Sequence, residues 1–300
     1  MAPVVRQLRQ TAGIESRVCV TAQHRQMLDQ VLHLFQIEPD YDLDLMREDQ
    51  GLAELSAAIF THLDPVFADF QPDWVLVQGD TTTVAIAALL AYYRRIRVGH
   101  VEAGLRTFDK WQPFPEEINR RVAGVAADLH FAPTEWTRKN LLREGVDEKL
   151  IAVTGNPVID ALQFVAQQPE PESVRQLIDR LKITSRGPGT VSNGHKLILV
   201  TAHRRENFGT PLEAVCAALK ELAARGDVEI VYPVHLNPNV QEPVYRLLGN
   251  VQHISLLPPL DYLPLVHLMK HAELILTDSG GIQEEAPAFG IPVLVLREVP

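Results

Sequence analysis

Acidic side chains follow two successive apolar runs in the first half of this 300-residue chain. Asp80 comes after the first run, Glu102 comes after the second, and Glu116 and Glu117 begin the next helical pattern. Because ligands bind where parallel strands of an α/β sheet end, we expect these carboxylates to lie close together. Taken singly, each is equally well explained as a helix cap or as a partner of a helix dipole. Together they favour acid–base chemistry. The arginines expected to pair with them are Arg106 and Arg120.

Two polar loops in the second half have residue types that suit an anion. Ser279–Gly281 lies between an apolar run and a helix, where free N–H groups and the helix dipole favour a phosphate. Glu285, one turn further on, is suited to holding a ribose diol. The loop 203–209 carries a histidine and two adjacent arginines, which suit a diphosphate. The alternative for Ser279–Gly281 is a tight turn whose glycines serve only close packing, and the alternative for 203–209 is a solvated loop. We favour a binding function for both loops.

The remaining polar loops and histidines carry weaker signals. The loops at 23–26 and 235–239 are, by composition alone, typical of turns or helix caps. The chain lacks His-Glu-x-x-His, Cys-x-x-Cys and Gly-x-x-x-x-Gly-Lys patterns, so we predict no metal site. The histidines without metal-ligand spacing include His33, His62, His253, His267 and His271.

Strands and helices alternate along the chain, which favours parallel sheets with helical crossovers. We predict strands at 18–21, 74–78, 96–101, 129–132, 151–154, 197–201, 228–234, 251–257, 273–277 and 292–296. We predict helices at 3–10, 23–35, 52–70 with a break near Pro65, 81–95, 115–127, 135–144, 173–183, 211–225, 238–248, 261–271 and 281–289. Segments rich in Pro and Glu (167–172) and in Ser, Gly and Pro (184–195) interrupt the pattern. The prediction is an α/β protein with two Rossmann-like, doubly wound domains, 1–166 and 167–300.

Composition narrows the function classes. A net charge of −10 argues against general affinity for nucleic acid or anionic membranes. No apolar run is long enough to span a bilayer and no signal peptide pattern is present, so we expect a cytoplasmic protein. Cys19 and Cys216 are expected to be free thiols.

Seven motifs taken together resemble one enzyme family. They are Gln78-Gly79-Asp80-Thr81-Thr82-Thr83, Val101-Glu102-Ala103-Gly104-Leu105-Arg106-Thr107, Pro115-Glu116-Glu117-Ile118-Asn119-Arg120, Thr154-Gly155-Asn156, His203-Arg204-Arg205-Glu206-Asn207, Pro233-Val234-His235-Leu236-Asn237-Pro238-Asn239 and Asp278-Ser279-Gly280-Gly281-Ile282-Gln283-Glu284-Glu285. Over essentially its whole length, the chain closely resembles the bacterial non-hydrolysing UDP-N-acetylglucosamine 2-epimerases.

The resemblance implies a glycosyltransferase-B-like fold and interconversion of UDP-N-acetylglucosamine and UDP-N-acetylmannosamine without metal or redox cofactor, for cell-envelope polysaccharides. The implied route is anti elimination of UDP to 2-acetamidoglucal, followed by re-addition with a proton on the opposite face of C2. The implied catalytic residues are Asp80, Glu102, Glu116 and His203. The implied UDP-binding residues are Ser279, Gly280, Gly281 and Glu285. Which carboxylate removes the C2 proton stays open.

The resemblance also implies a homodimer and activation by UDP-N-acetylglucosamine bound beside the active site. The residues matching that second site are Gln23, Gln26, Arg204 and His235. The family has an additional strand and phosphate loop before the position of Met1, and further helices after the position of Pro300. We therefore expect a chain truncated at both ends, with weak or no turnover and poor stability. The alternatives are a hydrolysing epimerase releasing UDP and N-acetylmannosamine, and a UDP-sugar-binding protein without turnover.

Overall fold

A computed structural model describes residues 1–22, 25–45, 47, 50–184 and 194–296, without the side chains of Gln26, Met27 and Arg205. The chain divides into two compact units, Met1–Pro157 and Val158–Pro300. The predicted boundary at 166/167 instead assigns residues 158–166 to the first domain.

The first unit alternates helices with parallel strands. Its helices are α1 (Ala2–Gln10), α2 (Arg25–Phe35), α3 (Leu52–Phe70), α4 (Thr82–Tyr93), α5 (Glu116–Ala126) and α6 (Glu135–Arg143). Its strands are β1 (Cys19–Val20), β2 (Tyr41–Asp42), β3 (Trp74–Gln78), β4 (Arg97–Val101), β5 (Leu129–Ala132) and β6 (Ile151–Val153). Strands β3 to β6 form a parallel sheet in sequence order, and β1 pairs with β2. Consecutive strands therefore end along one edge.

The second unit has the same alternation around a five-stranded parallel sheet. Its helices are α7 (Pro157–Ala166, whose first residue belongs to the first unit), α8 (Glu172–Arg180), α9 (Thr210–Ala223), α10 (Pro238–Leu248), α11 (Tyr262–His271) and α12 (Gly280–Ala288). Its strands are β7 (Lys196–Thr201), β8 (Val228–Pro233), β9 (Ile254–Leu257), β10 (Ala272–Thr277) and β11 (Val293–Val295). Their order in the sheet is β11-β10-β7-β8-β9.

Helices cover both faces of this second sheet. Ile198 and Val200 belong to one core cluster with residues of α9 and α10, whereas Leu197 and Leu199 belong to another with residues of α8, α11 and α12. Successive side chains of a strand point to opposite faces, so each cluster fills one face. This doubly wound arrangement confirms the predicted parallel α/β class.

Short helix-capping signals position the first candidate acid. The side chain of Thr81 accepts a hydrogen bond from Val84 N and caps α4. The helix then buries Ala88 and Ala91 completely in the core between α3 and α5. Small side chains on this face let α4 pack closely. Asp80 consequently lies in the short turn between β3 and α4.

Three predictions of local structure were wrong. Helix α3 does not break at Pro65, which lies on its exposed face, where a carbonyl left without its helical donor can bond to water. Helix α7 was not predicted, although Pro157 at its first position is a helix-start signal. Strand β2 has no counterpart among the predicted strands. Part of the predicted interruption, 185–193, lies outside the described residues.

Candidate active site

Asp80 is held by the first turn and a half of helix α5. Both Nε and Nη2 of Arg120 donate to Asp80 Oδ2, at 3.0 and 2.7 Å, and Asn119 Nδ2 donates to the Asp80 carbonyl at 2.9 Å. The Asp80 side chain is 28% exposed and that of Arg120 is 15% exposed. The ion pair fixes one carboxylate oxygen while the group stays open to solvent. The predicted pairing of Arg120 is present, but buried Arg106 instead forms a bidentate pair with Glu144.

Adjacent glutamates at the start of α5 have different surroundings. Glu117 is fully buried and accepts hydrogen bonds from Thr107 N at 3.0 Å and Phe108 N at 3.2 Å, with Arg120 and Arg121 each 3.4 Å away. Glu116 Oε2 is also buried, yet it has no hydrogen-bond partner among the residues that the structure describes. Glu117 thus anchors the loop before α5, whereas Glu116 keeps a carboxylate oxygen available for a ligand.

Glu102 follows β4 in a left-handed backbone conformation, with φ of 64°. A non-glycine residue in this region costs roughly 1–3 kcal/mol and often marks a functional position. Gln78 Nε2 donates to Glu102 Oε2 at 3.2 Å. That oxygen also lies 3.7 Å from where a Cβ on Gly79 would stand. Glu102 is therefore directed toward the turn that carries Asp80.

His100 supports the same turn from inside the sheet. Its Nε2 donates to the Gly79 carbonyl at 2.8 Å, and burial lowers the pKa of His100, so the ring is neutral at physiological pH. Gly79 N donates to the Val101 carbonyl. These bonds join the ends of β3 and β4 and hold the turn that carries Asp80.

Asp278 organises the corresponding edge of the second unit. It is fully buried at the end of β10, and its Oδ2 accepts hydrogen bonds from His203 N and Arg204 N, both at 2.8 Å, and from Asn207 Nδ2 at 2.9 Å. A carboxylate that accepts several N–H bonds fixes their geometry strongly. The loop after β7 is therefore tied to the loop after β10.

Two histidines face one another at this edge. The rings of His203 and His235 are stacked with centroids 5.4 Å apart, and His203 Nδ1 lies 3.4 Å from Asp278 Oδ1. Burial lowers the pKa of His203, which favours the neutral ring. His235 Nδ1 accepts a hydrogen bond from Asn237 N at 3.0 Å, so in its neutral form His235 carries its proton on Nε2.

Helix α12 starts at Gly280 with its N-terminus free of a side-chain cap. A Cβ on Gly280 would meet nothing within 4 Å, and one on Gly281 would meet only Ser279 Oγ at 3.9 Å. Neither glycine has the positive φ that demands glycine. The close-packing alternative is therefore not supported, and the two positions leave the helix N-terminus open to an anion.

Glu285 lies in a cavity of about 270 Å³ beside this helix start. It is 6% exposed and accepts a hydrogen bond from the Tyr262 hydroxyl at 2.7 Å. Burial raises the pKa of Glu285, and the Tyr262 bond opposes that rise. The same cavity is lined by His203, His235 and Ser279. An apolar chamber with a few directed polar groups suits a nucleoside.

Comparison with known proteins decides the family. A sequence model of the UDP-N-acetylglucosamine 2-epimerase family matches residues 6–300. The chain belongs to this family. It is 56% identical to the UDP-N-acetylglucosamine 2-epimerase of Yersinia pestis, over 99% of this chain and 78% of that protein. It is 56% identical to the Salmonella typhimurium enzyme of the same name, with the same two shares.

A solved structure agrees with this membership of the UDP-N-acetylglucosamine 2-epimerase family. The Neisseria meningitidis UDP-GlcNAc 2-epimerase bound to UDP-GlcNAc has a TM-score of 0.89 and 47% identity, covering 100% of this chain and 79% of that one. The predicted family, the enzyme class and the glycosyltransferase-B-like fold are thereby confirmed. None of the described helices is long and apolar enough to cross a membrane.

Most of the residues singled out in the sequence lie at two strand-end edges, one in each unit. The first edge carries Asp80, Glu102 and Glu116, and the second carries His203, Arg204, His235, Ser279, Gly280, Gly281 and Glu285. Gln23 and the side chain of Gln26 lie outside the described residues. Glu117, which the sequence predicted to group with the acid–base carboxylates, anchors the loop before α5. No role was predicted for Tyr262 or Asp278. Only Asp278 had a signal, as an acid directly after a strand.

Proposed function

We propose that this epimerase interconverts UDP-N-acetylglucosamine and UDP-N-acetylmannosamine by inverting C2 of the sugar. The observation that carries the proposal is that each unit has its own kind of chemistry at its strand-end edge. One presents three carboxylates on consecutive loops, and the other presents an open helix N-terminus beside an apolar chamber. The first set suits proton transfer and the second suits a nucleoside diphosphate. The Neisseria relative bound to UDP-GlcNAc supports this substrate.

The proposed reaction needs a base, an acid and a stabilised leaving group. A carboxylate removes the C2 proton, a C1–C2 double bond forms, and the C1–oxygen bond breaks with its electron pair leaving on UDP. The product of this step is 2-acetamidoglucal. UDP then adds back to C1 while a protonated carboxyl delivers a proton to the opposite face of C2. Atoms and charge balance without a redox partner.

We assign the proton transfers to Asp80, Glu102 and Glu116. Support comes from their environments, since Arg120 orients Asp80 and a hydrogen-bonded turn holds Glu102. Glu116 offers a buried oxygen with no partner among the described side chains. A buried group of this kind needs a hydrogen-bonding ligand to offset its desolvation. Substrate is the partner that completes it.

We assign UDP to the second edge. The N–H groups of Gly280 and Gly281 and the Ser279 hydroxyl would hold the diphosphate, whereas Ser279 N already donates to Thr277 Oγ1 at 2.9 Å. Neutral His203 would donate a further hydrogen bond to the diphosphate. Glu285 would accept hydrogen bonds from the ribose diol, with Tyr262 keeping its carboxylate oriented. Stabilising charge on the leaving diphosphate lowers the barrier to elimination.

We further propose that a second UDP-N-acetylglucosamine molecule activates the enzyme and is held by Gln23, Gln26, Arg204 and His235. We also propose that the enzyme is a cytoplasmic homodimer that supplies cell-envelope polysaccharides. The stacked rings support the activation, because they couple His235 directly to His203. A sigmoidal rate curve that becomes hyperbolic in His235→Ala would support the second site. A hyperbolic curve in the parent enzyme would contradict it, and sedimentation velocity would measure the oligomeric state.

The central experiment measures product formation in an extended chain, defined as residues 1–300 joined to the flanking segments of the Yersinia pestis relative. The 300 residues alone are assayed in parallel, because they span 78% of the length of that relative. Chromatography of UDP-sugars should show UDP-N-acetylmannosamine forming to equilibrium. Free N-acetylmannosamine and UDP would instead indicate a hydrolase, and tight UDP binding without any product would indicate a binding protein.

A further inference from the structure

Three metal-ligating side chains meet at the opposite edge of the second sheet. His195 directly precedes β7, Glu229 is the second residue of β8, and His253 directly precedes β9. These strands are neighbours in the sheet. The ligand atoms of the three side chains all lie within 4.8 Å of one another, and no other such group occurs in the part of the chain that the structure describes.

The distances match a small transition-metal ion. His253 Nδ1 lies 2.7 Å from Glu229 Oε1, and His195 Nδ1 lies 3.7 Å from the same oxygen. In a tetrahedral zinc site with bonds of about 2.0–2.2 Å, neighbouring ligand atoms lie roughly 3.3–3.5 Å apart. Side-chain movements of less than about 1 Å therefore bring the three atoms to zinc-binding geometry.

The backbone holds these ligands in place. His195 is tied to the preceding segment by two hydrogen bonds, His195 N to the Lys182 carbonyl and Thr184 N to the His195 carbonyl, both 3.0 Å. His253 accepts from Ile230 N at 2.9 Å through its carbonyl, and its φ of 64° is a left-handed conformation. An unfavourable backbone conformation that directs a side chain into a cluster is a known feature of functional positions.

We propose that His195, Glu229 and His253 form a binding site for a zinc-class divalent cation that joins three adjacent strands of the second unit. Two imidazoles and one carboxylate suit zinc, and such a site accepts a water as fourth ligand. The Glu229 side chain is 9% exposed, whereas those of His195 and His253 are 29% and 20% exposed, so the ion has an entry path. A cavity of about 220 Å³ adjoins His253.

The site is structural rather than catalytic. The candidate active-site residues follow the carboxyl ends of β7, β8 and β10, whereas this cluster lies at the amino ends of β7, β8 and β9. Six-residue strands separate the two edges by roughly 20 Å. Without the ion, His195 Nδ1 makes a long contact of 3.4 Å with the Leu181 carbonyl. To bind the ion through Nδ1, the ring carries its proton on Nε2 and this contact is lost.

The test titrates Zn²⁺ into the chelator-treated chain by calorimetry. We expect one ion per chain, and at least about 100-fold weaker binding in His253→Gln and in Glu229→Gln. The matched control is His271→Gln, because His271 Nε2 makes a comparable 2.6 Å contact with Glu170 in the same unit. That variant should bind Zn²⁺ like the parent. No binding by the parent, or equal loss in the control, would overturn the proposal.

A second measurement separates loss of a ligand from loss of the fold. Co²⁺ at this site should give the intense visible absorption of tetrahedral coordination. His253→Cys should retain that absorption and add a thiolate-to-metal charge-transfer band, because sulfur is also a good ligand. Saturation with zinc at about 100 times the dissociation constant should raise the melting temperature by roughly 5–10 °C. A cysteine variant with no charge-transfer band would contradict His253 as a ligand.

Discussion

Replacing each of the two glutamates at the start of α5 by glutamine should give opposite results. Glu117→Gln removes a fully buried charge that two backbone N–H groups and two arginines surround. Glu116→Gln changes a neighbouring carboxyl whose Oε2 has no partner among the described residues. The substitutions are chemically identical, so any difference between them comes from the site.

The expected magnitudes follow from those contacts. Removing one partner from a buried ion pair costs about 3–5 kcal/mol in the free energy of unfolding. With a urea dependence of about 2 kcal/mol per molar, Glu117→Gln should move the unfolding midpoint down by roughly 2 M. Glu116→Gln loses no hydrogen bond to any residue that the structure describes, and it should change the free energy of unfolding by less than about 0.5 kcal/mol. It should, however, lower kcat by about 10²–10⁴, as expected for a general acid or base.

Tryptophan fluorescence measures the stability of the relevant unit alone. All three tryptophans, Trp74, Trp111 and Trp136, lie in the first unit, so the urea transition seen by fluorescence reports on that unit. Activity is measured in the extended chain under conditions where both variants are folded. Equal destabilisation by the two substitutions, or full activity in Glu116→Gln, would refute the separate roles.

The second unit yields three further predictions. Because burial raises the pKa of Glu285, its carboxylate becomes protonated at a higher pH than that of an ordinary glutamate, and UDP affinity should fall as the proton binds. Calorimetry at decreasing pH measures this loss of affinity. The Tyr262 hydrogen bond lowers the pKa of Glu285, so Tyr262→Phe should move the loss to higher pH. A pH-independent affinity would contradict the role of Glu285. Gly280→Ala should leave stability unchanged but weaken UDP binding at least about tenfold, because the added methyl group fills the anion site. Gly104→Ala, in the first unit, is the contrasting variant. Its Cβ would lie 2.3 Å from the Thr137 carbonyl oxygen, so this substitution should destabilise the fold. Equal UDP affinity in Gly280→Ala would argue against the phosphate assignment. Asp278→Ala should lower the free energy of unfolding by about 3 kcal/mol or more, because it leaves three hydrogen-bond donors without their acceptor. Urea denaturation followed by circular dichroism measures the change. A loss below about 1 kcal/mol would contradict the role of Asp278 in holding the two loops together.

The parts of the fold that local signals specify could be predicted from the sequence. Strand 129–132 and helix 238–248 match their predicted bounds, and the helix has an Asn237 cap and Pro238 at its first turn. Helix α7 was missed although Pro157, at its first position, is a helix-start signal. Strand β2 is two residues long and exists through its pairing with β1, a contact that no local pattern contains.

From the sequence, the candidate site residues could be assigned to the ends of strands, but their contacts could not be predicted. Asp80 and Glu102 could be placed because an acid directly after a strand lies at the ligand-binding edge. Which of Glu116 and Glu117 is buried depends on the rotation of α5 against its neighbours, and sequence spacing does not fix it. The cluster around Glu229 was missed, and the prediction of no metal site rested on local spacing. Its three residues lie within or directly before three separate strands, which only the folded sheet brings together.

Proton exchange at C2 distinguishes acid–base epimerisation from any route that leaves the C2 hydrogen in place. UDP-N-acetylglucosamine is incubated with the extended chain in heavy water and followed by proton NMR, with Asp80→Asn, Glu102→Gln and Glu116→Gln measured beside it. We expect deuterium to enter C2 as UDP-N-acetylmannosamine appears, and we expect each substitution to slow both processes. Formation of UDP-N-acetylmannosamine with its C2 hydrogen retained would contradict acid–base epimerisation by these carboxylates.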